Sequence, residues 1–166
     1  MDDLWTTLGL HPPDWQYALH VSVRLAIAAT LGGLLGLERQ VRGHAAGLRT
    51  HMLVSLGSAM FALVPFEAGA SSAQMIAEVV RGVAPGIGFL GAGAIMRVTQ
   101  HDEPKGLTTA ATIWLTAAVG ISVGVNWMTP AVASVLLGLV VLELLHLAER
   151  KLPVKARPKD PTDGRQ

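Results

Sequence analysis

Apolar positions run almost unbroken through four stretches, roughly 15–37, 51–66, 107–126 and 130–148. Each approaches or exceeds the ~20 residues that a helix needs to cross ~30 Å of hydrocarbon, the second being the shortest. A fifth stretch, roughly 75–98, reaches that length when the segment around Glu78 and Arg81 is included. Polar positions collect between these stretches and at the chain ends. The pattern therefore predicts an all-α integral membrane protein with five transmembrane helices. Residues 15–150 form the transmembrane domain, preceded by an interfacial segment, 1–14, and followed by a disordered basic tail, 151–166.

Within the apolar stretches, small residues are concentrated in two runs, Gly86 to Ile95 and Gly106 to Thr112. In lipid there is little hydrophobic force between helices, so association rests on close backbone approach and on hydroxyl or backbone hydrogen bonds. Gly86, Gly88, Gly91, Gly93 and Gly106 suit that purpose, as do Gly32 and Gly36 in the first span. Just before the first run, Gly82-Val-Ala-Pro-Gly86 places Pro85 between glycines, removing a backbone donor where the helix is already weak. A kinked or broken third helix is the expectation there. In the fourth span Thr112, Thr116, Gly120 and Gly124 share one i+4 row, which predicts an inward face with hydroxyls bonding across helices.

Composition agrees with the membrane reading. Of 166 residues 51% are hydrophobic and only 15% charged, and the mean hydropathy is +0.44. The net charge of +1 says little, but the placement of the thirteen Lys and Arg says more. Arg39, Arg42 and Arg49 fall at the first loop, Arg97 and Lys105 at the third, and six more in the segment from Arg150 to Arg165. With five spans these regions share one side, which places the N-terminus outside and the C-terminus in the cytoplasm. The absence of cysteine excludes disulfides, thiolate metal ligands and thiol nucleophiles. Met1-Asp-Asp-Leu-Trp5 lacks the basic start of a secretory signal.

Candidate chemistry is sparse. Glu38 and Arg39 are held near Arg49 and Thr50 by a short loop, which suggests a Glu38–Arg49 pair and arginines able to receive an anion, a lipid phosphate or an acidic partner side chain. Arg24 lies roughly 10 to 13 Å inside the outer end of its span, a depth at which a charge must pair, face water or snorkel. Glu67 and Glu78 are its candidate partners by depth. Thr108, Thr109 and Thr112 could line a polar path. Glu143 and His146 have the Glu-x-x-His spacing of carboxylate metal sites, but too few further ligands accompany them, so no metal or other cofactor is expected. No nucleophile elbow, zinc-protease helix or phosphate-binding loop is present, and the chain is not expected to be an enzyme.

Four motifs, Leu35-Gly-Leu-Glu-Arg39, Ala46-Gly-Leu-Arg-Thr-His51, Gly86-Ile-Gly-Phe-Leu-Gly-Ala-Gly93 and Gly106-Leu-Thr-Thr-Ala-Ala-Thr-Ile-Trp114, occur in the order and spacing of the MgtC/SapB family. The resemblance covers about residues 20 to 148. It implies a multi-pass protein of the bacterial inner membrane that modulates other membrane proteins in adaptation to low magnesium or host stress. The partners it implies are other integral membrane proteins, such as the ATP synthase or a magnesium-transporting ATPase; membrane lipid and a homodimer are expected beside them. Nucleic acid is not among them. The alternative is a magnesium, cation or proton-coupled transporter acting as a homo-oligomer. Positions carried over are Glu38, Arg39, Arg49, Thr50, the four glycines from Gly86 to Gly93, Gly106, Thr108 and Thr109. Longer family members carry an ACT-like domain after the last span, so this sequence resembles the short, membrane-only branch.

Overall fold

The computed structural model describes residues 15–67, 73–96 and 106–151. The interfacial segment 1–14, Arg97, Lys105 and residues 152–166 of the tail lie outside the described residues, as do the side chains of Glu67 and His146. Five helices follow in order: α1 (Trp15–Val41), α2 (Leu48–Glu67), α3 (Ala73–Met96), α4 (Leu107–Gly124) and α5 (Met128–Lys151). Four of them, α1 to α4, contain segments long and apolar enough to cross a membrane, and α5 carries a shorter apolar segment, Met128–Leu144.

The α1–α2 and α4–α5 connections follow the same local logic. At the end of α1, Gly43 turns the chain at φ 73°, while its N–H and that of His44 donate to the carbonyls of Gln40 and Arg39, both at 3.0 Å. This is a Schellman cap, in which a left-handed residue lets the chain satisfy the last carbonyls of the helix. Asn126, at φ 63°, does the same for α4. There Asn126 and Trp127 donate to Val123 at 3.0 Å and Ser122 at 2.7 Å, which closes the tight hairpin into α5. Asparagine tolerates that conformation because its short polar side chain can bond locally.

Helix α2 sits between α1 and α4, and glycine makes the fit possible on both sides. A Cβ at Gly32 of α1 would lie 2.6 Å from the Ser55 Cβ, and one at Gly36 would lie 2.8 Å from the His51 Cβ. From the other side, a Cβ at Gly120 would strike the Ser55 carbonyl, and one at Gly124 the Ala59 carbonyl. At all four positions a backbone atom, of His51, Leu48, Ser55 or Ala59 respectively, is also among the nearest neighbours and cannot yield, so the small residues are required by proximity. Above them Ala28, Ala59, Val119, Val123, Ala131 and Val135 form a fully apolar core shared by α1, α2, α4 and α5.

Helix α3 corrects the expectation of a broken helix. It runs through Pro85 without a break, because the donor a proline lacks costs one bond of the ladder while flanking turns keep theirs. Most of its glycines find no close neighbour among the described residues. Gly82, Gly86, Gly88 and Gly93 meet nothing within 4 Å, whereas Gly91 touches Ala110 at 3.4 Å. Helix α3 rests chiefly on α4 and only lightly on α2, leaving an apolar cleft of about 740 Å³ lined by Leu53, Gly57, Phe61, Gly82, Gly86 and Leu90.

Candidate functional site

Glu38 and Arg39 of the first motif meet Arg42 and Glu143 at one end of the bundle, where α1 finishes. The Schellman turn holds the last turn of α1 in helical form, so Glu38 and Arg42 stand at i and i+4 on one face. Arg42 Nε lies 2.5 Å from Glu38 Oε1, and its Nη2 reaches across to Glu143 Oε2 on α5 at 2.7 Å. Arg39 contributes a longer contact, Nη1 to Glu38 Oε2 at 3.6 Å. It also donates from Nη2 to Thr109 Oγ1 in the first turn of α4, at 3.2 Å. Three helices are thus joined through two neighbouring arginines.

Burial gives these contacts their weight. Arg39 is only 3% exposed, and both Glu38 oxygens are enclosed without an aligned hydrogen bond, so the adjacent cations compensate them. A charge removed from water this far is tolerated only when it is paired. Arg39 is therefore a residue of the helix interior and not an interfacial anchor of the loop. Beneath it Gln40 contributes a neutral brace, accepting the Leu48 N–H at 3.1 Å and so capping the start of α2. At the start of α4, Gly106 has φ 102°, and a Cβ there would lie 2.8 Å from the Ala94 carbonyl. Only glycine meets both conditions.

The structure brings together Glu38, Arg39 and Thr109 of the predicted set, and leaves others apart. The ion pairs of Glu38 are with Arg39 and Arg42, while Arg49 and Thr50 are exposed in the first turn of α2. The expected Glu38–Arg49 pair is thereby corrected, because Arg42 already occupies the same helical face as Glu38. Arg24 is half-buried on α1, about 21 Å along the helix from Glu38 by helix rise. Glu78 is exposed. Thr108 is exposed as well, while Thr112 and Thr116 are buried. Their hydroxyls donate back to their own helix, Thr112 to the Thr109 carbonyl at 2.9 Å and Thr116 to the Thr112 carbonyl at 2.7 Å. Only Thr109 bonds across helices among these threonines, so the expected hydroxyl ladder between helices is replaced by internal back-bonding.

Two participants were not singled out from the sequence. Arg42 was legible as Glu38-x-x-x-Arg, the spacing of a helical ion pair. His51 is fully buried, with Nδ1 2.9 Å from the Gly47 carbonyl, and the only signal for it is its place at the end of the Ala46–His51 motif. Among the described residues no three of His, Cys, Asp and Glu gather in a way that could hold a metal ion.

This architecture, an all-helical membrane bundle with a buried Glu–Arg cluster at the motif-bearing end, defines the class of protein. Residues 25–151 match the MgtC family, and the chain belongs to it. It is 45% identical over 121 residues to protein SrpB of Synechococcus elongatus, covering 67% of this chain and 65% of that protein. It is 40% identical over 134 residues to the putative magnesium transporter YhiD of Escherichia coli (strain K12), covering 75% of this chain and 60% of YhiD. It is likewise 40% identical over 132 residues to protein MgtC of Brucella abortus (strain 2308), covering 80% of this chain and 54% of that protein. The chain thus spans between 54% and 65% of the length of these relatives. No solved structure matches it.

Proposed function

We infer that the protein is an MgtC-type modulator of other integral membrane proteins, acting in adaptation to low magnesium or host stress. It resides in the bacterial inner membrane as a five-span bundle with its N-terminus outside and its C-terminus in the cytoplasm, so that the Glu38–Arg42–Glu143 cluster lies at the cytoplasmic end. The observation that carries the reading is the contrast between the two sets of glycines. Those on α1 and α4 are consumed by packing within the chain, while Gly82, Gly86, Gly88 and Gly93 on α3 meet nothing within 4 Å. A glycine-rich helix face gives up helix propensity, and in lipid the return for that cost is close approach to another helix. The partner class is therefore an integral membrane protein, with the ATP synthase and magnesium-transporting ATPases as candidates and a second copy of this chain as a further one. The charge cluster supports the same reading, since its groups are spent on joining α1, α4 and α5 and the core above them is apolar.

A transporter acting as a homo-oligomer is the second reading. The name of the relative YhiD, a putative magnesium transporter, favours it.

Photo-crosslinking in intact membranes tests the first reading. A crosslinking side chain replacing Phe89 of α3, which is 81% exposed, should yield one specific membrane-protein adduct in magnesium-starved cells. The same group replacing Leu137 of α5, also well exposed, should not. Adducts with lipid alone at both positions would refute it.

A further inference from the structure

Beside the two Glu38 oxygens, three further buried polar atoms have no hydrogen-bond partner among the described residues: Arg39 Nε, His51 Nε2 and Ser55 Oγ. All three side chains belong to residues no more than 3% exposed. Unpaired polar atoms at such depth are costly, and native proteins satisfy nearly all of them with protein or ordered water.

Their placement is orderly. His51 and Ser55 stand one turn apart on the face of α2 that meets α1, opposite Gly36 and Gly32 respectively. Arg39 follows Gly36 by three residues on α1, so it shares that face one turn further along. The charges that reach the His51 ring are those of Arg39 and Glu38. From α4 the buried polar groups are the hydroxyls of Thr109, Thr112 and Thr116, which are uncharged.

Donor and acceptor roles follow from chemistry. A backbone carbonyl can only accept, so the 2.9 Å contact with Gly47 fixes the proton on His51 Nδ1. Nε2 is then an acceptor, while Arg39 Nε can only donate. A water molecule accepts from one and donates to the other, and buried waters typically hold about three such bonds. We propose that Arg39 and His51 bind internal water between α1 and α2, with Ser55 one turn deeper, and that His51 Nε2 is the proton-exchanging atom of this site. One proton from solvent, relayed through that water, which itself stays neutral, gives at Nε2 an imidazolium that keeps its Nδ1–H bond to Gly47 and turns Nε2 from acceptor to donor. Glu38 is the carboxylate positioned to balance the added charge, against Arg39 and Arg42 on the same helix. The site stands whether or not the protein modulates a partner.

Nitrogen-15 and proton NMR of the full chain in lipid nanodiscs tests it, with His51 assigned through its own backbone. The expected result is an unprotonated, hydrogen-bonded Nε2, with magnetisation transfer from water to both the His51 ring and Arg39 Nε–H. Ser55→Ala, a nearly isosteric change, should keep the fold and alter the water transfer to His51. An Nε2–H tautomer, a direct Arg39–His51 coupling without water transfer, or identical water transfer in folded Ser55→Ala would each overturn the corresponding part of the site.

Discussion

Arg42 reaches Glu143 across the bundle, Nη2 to Oε2 at 2.7 Å, and so ties the end of α1 to α5. The two carboxylates that Arg42 holds are not equivalent. The Glu143 side chain is 58% exposed and that of Glu38 only 9%. Glu38→Gln should therefore destabilise the fold by about 3 kcal/mol or more, since it leaves Arg39 and Arg42 short of a counter-charge in a buried setting. Glu143→Gln should cost no more than about 1 kcal/mol, as for a solvent-screened pair. Reversible unfolding in mixed micelles would read both.

Arg49 should be dispensable for that cluster. Because it is exposed on α2, Arg49→Ala should change stability by no more than about 0.5 kcal/mol. A double-mutant cycle should find coupling between Glu38 and Arg42 and none between Glu38 and Arg49. Strong Glu38–Arg49 coupling would contradict the geometry.

The glycines should divide into two classes. Gly120→Ala pushes a methyl into the Ser55 carbonyl, and Gly32→Ala pushes one against His51 and Ser55. Each should cost about 1 to 3 kcal/mol through overpacking. Gly86→Ala and Gly88→Ala enter open space, and should leave the isolated protein unchanged or more stable by up to about 1 kcal/mol from helix propensity. If α3 carries the partner face, the same two changes should reduce crosslinking from position 89 in a protein that still folds.

Gly106→Ala should be disruptive for a different reason. The backbone at φ 102° excludes an L side chain, and the added methyl would lie 2.8 Å from the Ala94 carbonyl. The conformational term alone is about 1 to 2 kcal/mol, and protease sensitivity between α3 and α4 should rise accordingly.

Helix positions were legible in the sequence because apolar runs of span length leave little choice about their extent. The predicted stretches at 15–37 and 107–126 became Trp15–Val41 and Leu107–Gly124. Which arginine meets Glu38 was less legible. Loop length says that Arg49 is near in depth, but only the helical register of α1, continued to Val41 by the Gly43 turn, puts Arg42 on the face of Glu38. Glycines posed a related difficulty. Gly32 and Gly88 look alike in sequence, yet one is wedged against α2 and the other meets nothing within 4 Å. Small residues announce a close contact without naming what makes it. His51 escaped notice because a histidine at the start of a span reads as an interfacial group until its burial is seen.

Flux through the purified protein tests the central claim most directly. Reconstituted into liposomes, the chain should pass neither magnesium nor protons above the level of protein-free vesicles, with or without an imposed potential. Reproducible flux that Arg24→Ala or Glu38→Ala abolishes in a folded variant would contradict the modulator account and establish the transporter in its place.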